Sequence, residues 1–245
     1  MSSFRITLAY DGTDFLGWQL QRPGMRTVQG ALEEALGRLA GGVRVAVSGA
    51  GRTDAGVHAL GQVAAFDLPR DIAAEELQRA LNGLLPADVR VLETAPAPAG
   101  FHPSRSAVSK LYRYELDCGG VQRPQRCRFA GFVPVRLDEE AVRAAAALYV
   151  GRRDFASLAS AGGSARTTVR TVSRSEVSFE GAALAYEVEA DGFLRKMVRS
   201  LVGGLIASDG SGLLPDWTSL AIYGTMAIAL GWFALKPNAY FADKK

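Results

Sequence analysis

Phe4, Ile6, Leu8 and Tyr10 alternate with polar or small residues, a period of two that predicts a half-buried strand. After a Gly-, Asp- and Pro-rich loop from Asp11 to Arg26, the period changes. Thr27 stands as an N-cap before Val28, Leu32, Ala35, Leu36 and Leu39, the stripe of an amphipathic helix, and Gly41-Gly42 stop it. Val43, Val45 and Val47 predict a second strand, running into a Gly-rich loop from Gly49 to Gly61. Gln62 to Leu68 predicts a third strand. Asp71 is placed to cap a helix carrying Leu77, Leu81 and Leu84, ended near Pro86, and Val89 to Ala95 closes as a strand.

That order is β-α-β-β-α-β, and it starts again. Lys110 to Cys118 alternates, with Tyr112, Tyr114 and Leu116 on one face. Asp138 caps a helix predicted through Tyr149. Thr168 to Phe179 and Ala183 to Ala190 form a strand pair turning at Glu180-Gly181, and Leu194, Val198, Leu201, Val202 and Leu205 mark another helix. Two copies predict an α+β protein of two ferredoxin-like (RRM-like) halves, each an antiparallel sheet with helices on one face and a cleft between them. The halves are residues 1–104 and 105–207. The repeat then demands a closing strand that 208–245 does not supply. This atypical tail contains Trp217 to Leu235, 19 residues without a charge, which reads as a buried helix, an unusual terminus packed on the sheet, or a membrane anchor. Without the closing strand the second sheet is expected to expose an edge.

Composition narrows the classes. With 245 residues, 48% hydrophobic and 22% charged, the chain is globular and large enough to bury a core without staples. Cys118, Cys127, His58 and His102 are too few and too scattered for a structural zinc site, so no metal is expected; a reduced compartment suits the cysteines. No signal segment opens the chain. Net charge is only +3, but residues 1–104 carry 9 basic against 11 acidic side chains, whereas 105–136 carry 7 against 2. Arginine makes up 23 of the 28 basic residues, which suits either bidentate phosphate contacts or an ordinary solvated face.

The Gly49 to Gly61 loop holds Arg52, Thr53 and Asp54 between glycines and lacks both the Walker A and the dinucleotide spacing. On local chemistry an Asp here is a turn former; with Arg52 beside it, it is also a candidate carboxylate for chemistry. Gly-Arg-Thr-Asp-Ala-Gly-Val-His-Ala, residues 51–59, resembles the signature of the tRNA pseudouridine synthase A family. So do Tyr-Asp-Gly-Thr-Asp-Phe-Leu-Gly-Trp-Gln at 10–19, the Thr-Val-Gln-Gly-Ala-Leu-Glu run at 27–33, Phe101-His102, Lys110-Leu-Tyr-Arg-Tyr, and Gly192-Phe-Leu-Arg-Lys-Met-Val-Arg. These matches fall in order across residues 4–207.

The resemblance implies a two-half α+β fold and a cofactor-free isomerisation of uridine to pseudouridine at tRNA positions 38–40, by a cytoplasmic homodimer that binds tRNA across both subunits. It places the family's essential aspartate on Asp54, its active-site tyrosine on Tyr112 and its aspartate-pairing arginine on Arg199. Tyr112 has a plain alternative as a core aromatic, and Arg195 and Arg199, four apart on one helix face, as a solvated basic face. Arg52 joins the substrate-binding set. Arg105, Lys110, Arg166, Arg170 and Lys196 are candidates for RNA backbone contacts, which position without reading bases. Two departures stand out. Pro103-Ser104-Arg105 follows Phe101-His102, where the family has a small residue, Arg and an aromatic, and the family's closing Pro-rich and Val-x-Tyr segments are absent after about Ala207. The altered terminus leaves two alternatives: an RNA-binding protein of the same fold without activity, and a version tethered to a membrane.

Overall fold

The computed structural model describes residues 2–162, 165–208 and 227–229. Strand β1 (Ser2–Tyr10) buries Phe4, Ile6, Leu8 and Tyr10, the alternation read in the sequence. Helix α1 (Val28–Leu39) starts where the Thr27 hydroxyl accepts the Gly30 N–H. Strands β2 (Ser48–Gly49) and β3 (His58–Leu68), helix α2 (Ala74–Leu84) and β4 (Val89–Pro96) complete the first half. The second comprises β5 (Lys110–Cys118), β6 (Gly131–Val133), α3 (Glu139–Ala147), β7 (Gly151–Asp154), β8 (Val169–Glu180), β9 (Ala183–Ala190), α4 (Met197–Ala207) and β10 (Ala227–Ala229).

The first half orders its strands β4-β1-β3 with β2 beside β3, and the second orders them β10-β5-β9-β8 with β7 outermost. The repeat read from the sequence is therefore a repeat of strand order. Each half has its own apolar core. Phe4, Ile6 and Leu8 meet Leu32, Leu36, Leu77 and Leu81 in one; Tyr114, Leu116 and Tyr186 meet Val142, Leu201 and Leu205 in the other. Among the described residues Val57, from the first half, crosses over and packs in the second core.

Several expectations are corrected. Val43, Val45 and Val47 form no strand. Val45 and Val47 are buried, but the ladder begins only at Ser48, opposite Ala65, after the Gly41-Gly42 turn. Strand β3 starts at His58, inside the segment read as loop. Asp71 does not cap α2; the N-cap is Ala73, with no side-chain bond, and Glu75 and Glu76 serve the helix dipole in the first turn. Helix α3 ends at Ala147, short of Tyr149.

The missing closing strand is corrected too. Strand β10 occupies its place: Ala227 and Ile228 pair antiparallel with Tyr114 and Arg113 of β5, while Ile228 and Ala229 pair parallel with His58 and Ala59 of β3. It covers the edge expected to be open and makes the two sheets one continuous sheet. Among the described residues no helix is long and apolar enough to cross a membrane. Apart from 227–229, the Trp217 to Leu235 segment lies outside the described residues.

Leu201 has no exposed surface and anchors α4 in the second core. Leu201→Ala is expected to cost about 2–5 kcal/mol of stability, measured by urea unfolding.

Candidate active site

The loop from Ala50 to Val57 is held by its backbone. The Asp54 carbonyl accepts the Val57 N–H at 3.2 Å, and Gly56, at φ 76°, takes the positive-φ position of that turn. Gly56 N–H donates to the Phe15 carbonyl and Trp18 N–H to the Thr53 carbonyl (3.0 Å). The Tyr10 and Thr53 hydroxyls pair at 2.8 Å in the buried interior, and the Gln62 amide donates to the Gly51 carbonyl at 2.9 Å. Gly17, at φ 93°, allows this closeness, since a Cβ there would stand 2.6 Å from the Thr53 oxygen. The glycine at 49 serves packing rather than a ligand: its Cβ would sit 2.6 Å from the Trp18 ring. With the main chain so fixed, the Asp54 side chain stays 59% exposed.

It faces a cleft of about 990 Å³ between the halves. Arg52, Thr53 and Asp54 line it from the first half, and Lys110, Tyr112, Phe193, Lys196 and Arg199 from the second. The Arg199 guanidinium, on α4, lies 3.7 Å from the Asp54 carboxylate. Tyr112 is half-buried, and its hydroxyl pKa is pushed up to about 12, first by burial and then by the negative charge of Asp54. Its phenol is therefore protonated across the neutral range. The Phe193 ring meets Tyr112 edge-on at 4.9 Å and 78°, fixing its orientation.

Lys110 lines the cleft against Gly51. Burial, and then the charge of Arg170 behind it, hold its ammonium pKa below the usual lysine value. No carboxylate pairs with it among the described residues. Arg170 itself donates to the Thr167 and Val169 carbonyls. Lys196 lines the cleft with φ 60°, a left-handed conformation uncommon for lysine, directly before α4. Arg52 is exposed at the rim.

The cleft thus brings together Asp54, Arg52, Tyr112, Arg199, Lys110 and Lys196. Arg105, Arg166 and Arg170 do not line it, although His102, Ser104 and Ala165 do. The shared helix face of Arg195 and Arg199 is corrected: α4 begins at Met197, and Arg195 precedes it, donating to the Ala161 carbonyl at 2.8 Å. Phe193, His102 and Trp18 went unremarked as cleft residues. All three sit inside segments that carry the family resemblance, which is the available signal.

An α+β fold of two repeats enclosing a carboxylate–arginine pair among cations that have no carboxylate partner among the described residues is the class of protein these observations define. A family model described as tRNA pseudouridine synthase matches residues 6–104 and 145–223. Relatives named tRNA pseudouridine synthase A include those of Latilactobacillus sakei (44% identical over 83% of this chain and 82% of the relative) and Frankia casuarinae (46%, over 89% and 80%). That of Solibacter usitatus is 42% identical over 95% of this chain and 98% of its own length. The chain belongs to the tRNA pseudouridine synthase family.

The depressed Lys110 pKa is open to direct measurement by carbon NMR of the reductively methylated protein, which has only five lysines. Lys110 is expected to titrate below the others. Arg170→Ala is expected to move its midpoint upward, because removing a like charge favours the ammonium form. An unmoved midpoint would contradict the assigned cause.

Proposed function

We propose that this chain isomerises uridine to pseudouridine in the anticodon stem-loop of tRNA, at positions 38–40, with Asp54 as the catalytic carboxylate. One observation carries the reading: Asp54 and Arg199, from opposite halves, stand 3.7 Å apart across a cleft that also holds Tyr112. The reaction breaks the N1–C1′ bond, turns the uracil, joins C5 to C1′, and exchanges a proton lost at C5 for one gained at N1. Nothing is oxidised and no group is donated.

Departure of the base leaves positive charge on C1′. An ionised Asp54 meets that need either by bonding to C1′ or by holding the oxocarbenium-like charge, and both demand an unprotonated carboxylate close to the sugar. Arg199 stands 3.7 Å from that carboxylate and fills space left by the extruded base. Tyr112 offers a ring face to the uracil and a phenol that remains a donor at neutral pH. Extruding a base costs about a few kcal/mol. Phosphate contacts from Arg52, Lys110 and Lys196 in the cleft, with Arg105, Arg166 and Arg170 farther out, offset that cost without reading sequence.

The family resemblance further supports a cytoplasmic homodimer that needs no cofactor. The relatives bear an enzyme's name along most of the chain, which does not favour the binding-only alternative.

The test is pseudouridine formation on unmodified tRNA carrying uridines at 38–40, located by carbodiimide adducts and primer extension. The protein is expected to form the product. Asp54→Asn should lower turnover at least about a thousandfold while tRNA still binds. Binding without product in the unaltered protein would sink the reading. Arg199→Ala is expected to reduce turnover about a hundredfold, read as kcat in single-turnover assays, with binding less affected.

A further inference from the structure

The two halves are joined in the sheet by β10, which among the described residues pairs two residues on each side. A second connection lies behind the sheet. Between β5 and β6 the chain makes a strap, residues 119–130. On the β5 side, Arg126 binds Asp117 at 2.9 Å and Glu115 at 3.3 Å, and the Gln122 amide donates to Asp117 and to the Ala130 carbonyl. Glu115 and Asp117 alternate with Tyr114 and Leu116, so they lie on the face of β5 turned away from the core.

On the β3 side, the strap reaches His58. The ring Nε2 lies 2.9 Å from the Arg128 carbonyl, and Phe129 packs on the ring with centroids 5.0 Å apart. His58 is buried and is also the β3 residue that pairs with Ile228. Its other nitrogen, Nδ1, faces the Gly12 N–H at 3.2 Å and an Asp11 oxygen at 3.1 Å. A carbonyl only accepts, so Nε2 carries a proton whichever state the ring is in. A neutral ring accepts from Gly12 at Nδ1; a charged ring donates to Asp11. The charged group described against the ring is Asp11, on which the charge of Arg128 acts in turn. The strap-facing bond therefore holds in both states.

We infer that His58 and the 119–130 strap form a latch setting the distance between the halves, with His58 a positioning residue for the Asp54 site. His58 lies four residues beyond Asp54, and its neighbour Val57 packs in the second core, so a shift of His58 moves the Asp54 loop relative to Tyr112 and Arg199. A displacement of about 1 Å at a catalytic group costs up to roughly a hundredfold in rate.

This inference rests on the function proposed above, and the two are separated by pairing kinetics with amide hydrogen exchange. His58→Gln sets an amide near the Nε2 position and keeps the bond to Arg128; His58→Asn reaches only the Nδ1 position and loses it. His58→Asn is expected to lower kcat roughly ten- to a hundredfold with KM for tRNA near the unaltered value. His58→Gln should stay near full activity. Arg126→Ala, at a half-buried position, releases the strap from its other end and should reproduce the kcat loss. The double variant His58→Asn/Arg126→Ala should be no worse than the weaker single one, since both open one connection.

In exchange measurements, a peptide covering 55–60 should exchange faster in His58→Asn and Arg126→Ala but not in His58→Gln, with 4–10 unchanged. Unaltered exchange at 55–60, or losses tracking only the unfolded fraction, would overturn the latch. So would equal damage from Gln and Asn. An unaltered protein that makes no pseudouridine counts against the proposed function, and exchange then decides the latch alone.

Discussion

Two halves that fold around separate cores have to present one carboxylate and one guanidinium to the same point in space. The Asp54–Arg199 pair does not supply the force that holds them there. At 3.7 Å, with Asp54 59% exposed, such a pair is worth about 0–1 kcal/mol. The joint is made elsewhere, by the β10 ladder, by Val57 seated in the opposite core and by the strap behind the sheet. The ion pair is thus a consequence of the docking. In the proposed reaction its weakness suits a site that admits a nucleotide between its members.

Much of the frame was legible in the sequence because the burial pattern and the element period agree. Strand β1, helix α1 with its Thr27 cap, and the β8–β9 pair have clean periods and clear turn residues. Where burial and hydrogen bonding part company, the pattern misleads. Val45 and Val47 are buried as a strand residue would be, yet they run beside α1 without a ladder partner, and no spacing distinguishes the two. Strand β7, Gly-Arg-Arg-Asp on a sheet edge, has no apolar alternation to detect. Strand β10 pairs through its backbone inside a run whose apolar residues fit several structures equally well.

The site divides along the same line. Tyr112 and Arg199 are named because their neighbours resemble known motifs, and local chemistry alone makes Asp54 a turn former as readily as a candidate carboxylate. For Asp54 the two readings set against each other prove compatible. Its main-chain carbonyl closes the turn to Val57, which is the turn-former's role, and that same turn leaves its carboxylate facing the cleft and Arg199. Phe193 was overlooked because its part is relational: it matters through the edge-on contact that orients Tyr112, and a contact between strand β5 and the segment before α4 has no signature along the chain.

The uneven charge of the sequence takes on a spatial meaning in the cleft. A carboxylate required near a ribose repels the phosphates on either side of that ribose, so a uniformly acidic or basic cleft would serve badly. Here the first half brings the carboxylate with Arg52 beside it in the chain, and the second half brings Lys110, Lys196 and Arg199 to the facing wall. Lys110 is half-buried, and burial together with Arg170 already disfavours its charged form. A phosphate arriving there relieves both penalties at once, whereas a neutral ligand relieves neither. In the proposed reaction that division lets the second half grip the backbone while Asp54 remains free for the sugar. The division works only while the halves keep their distance, and that returns the chemistry to the few backbone and strap contacts at the joint.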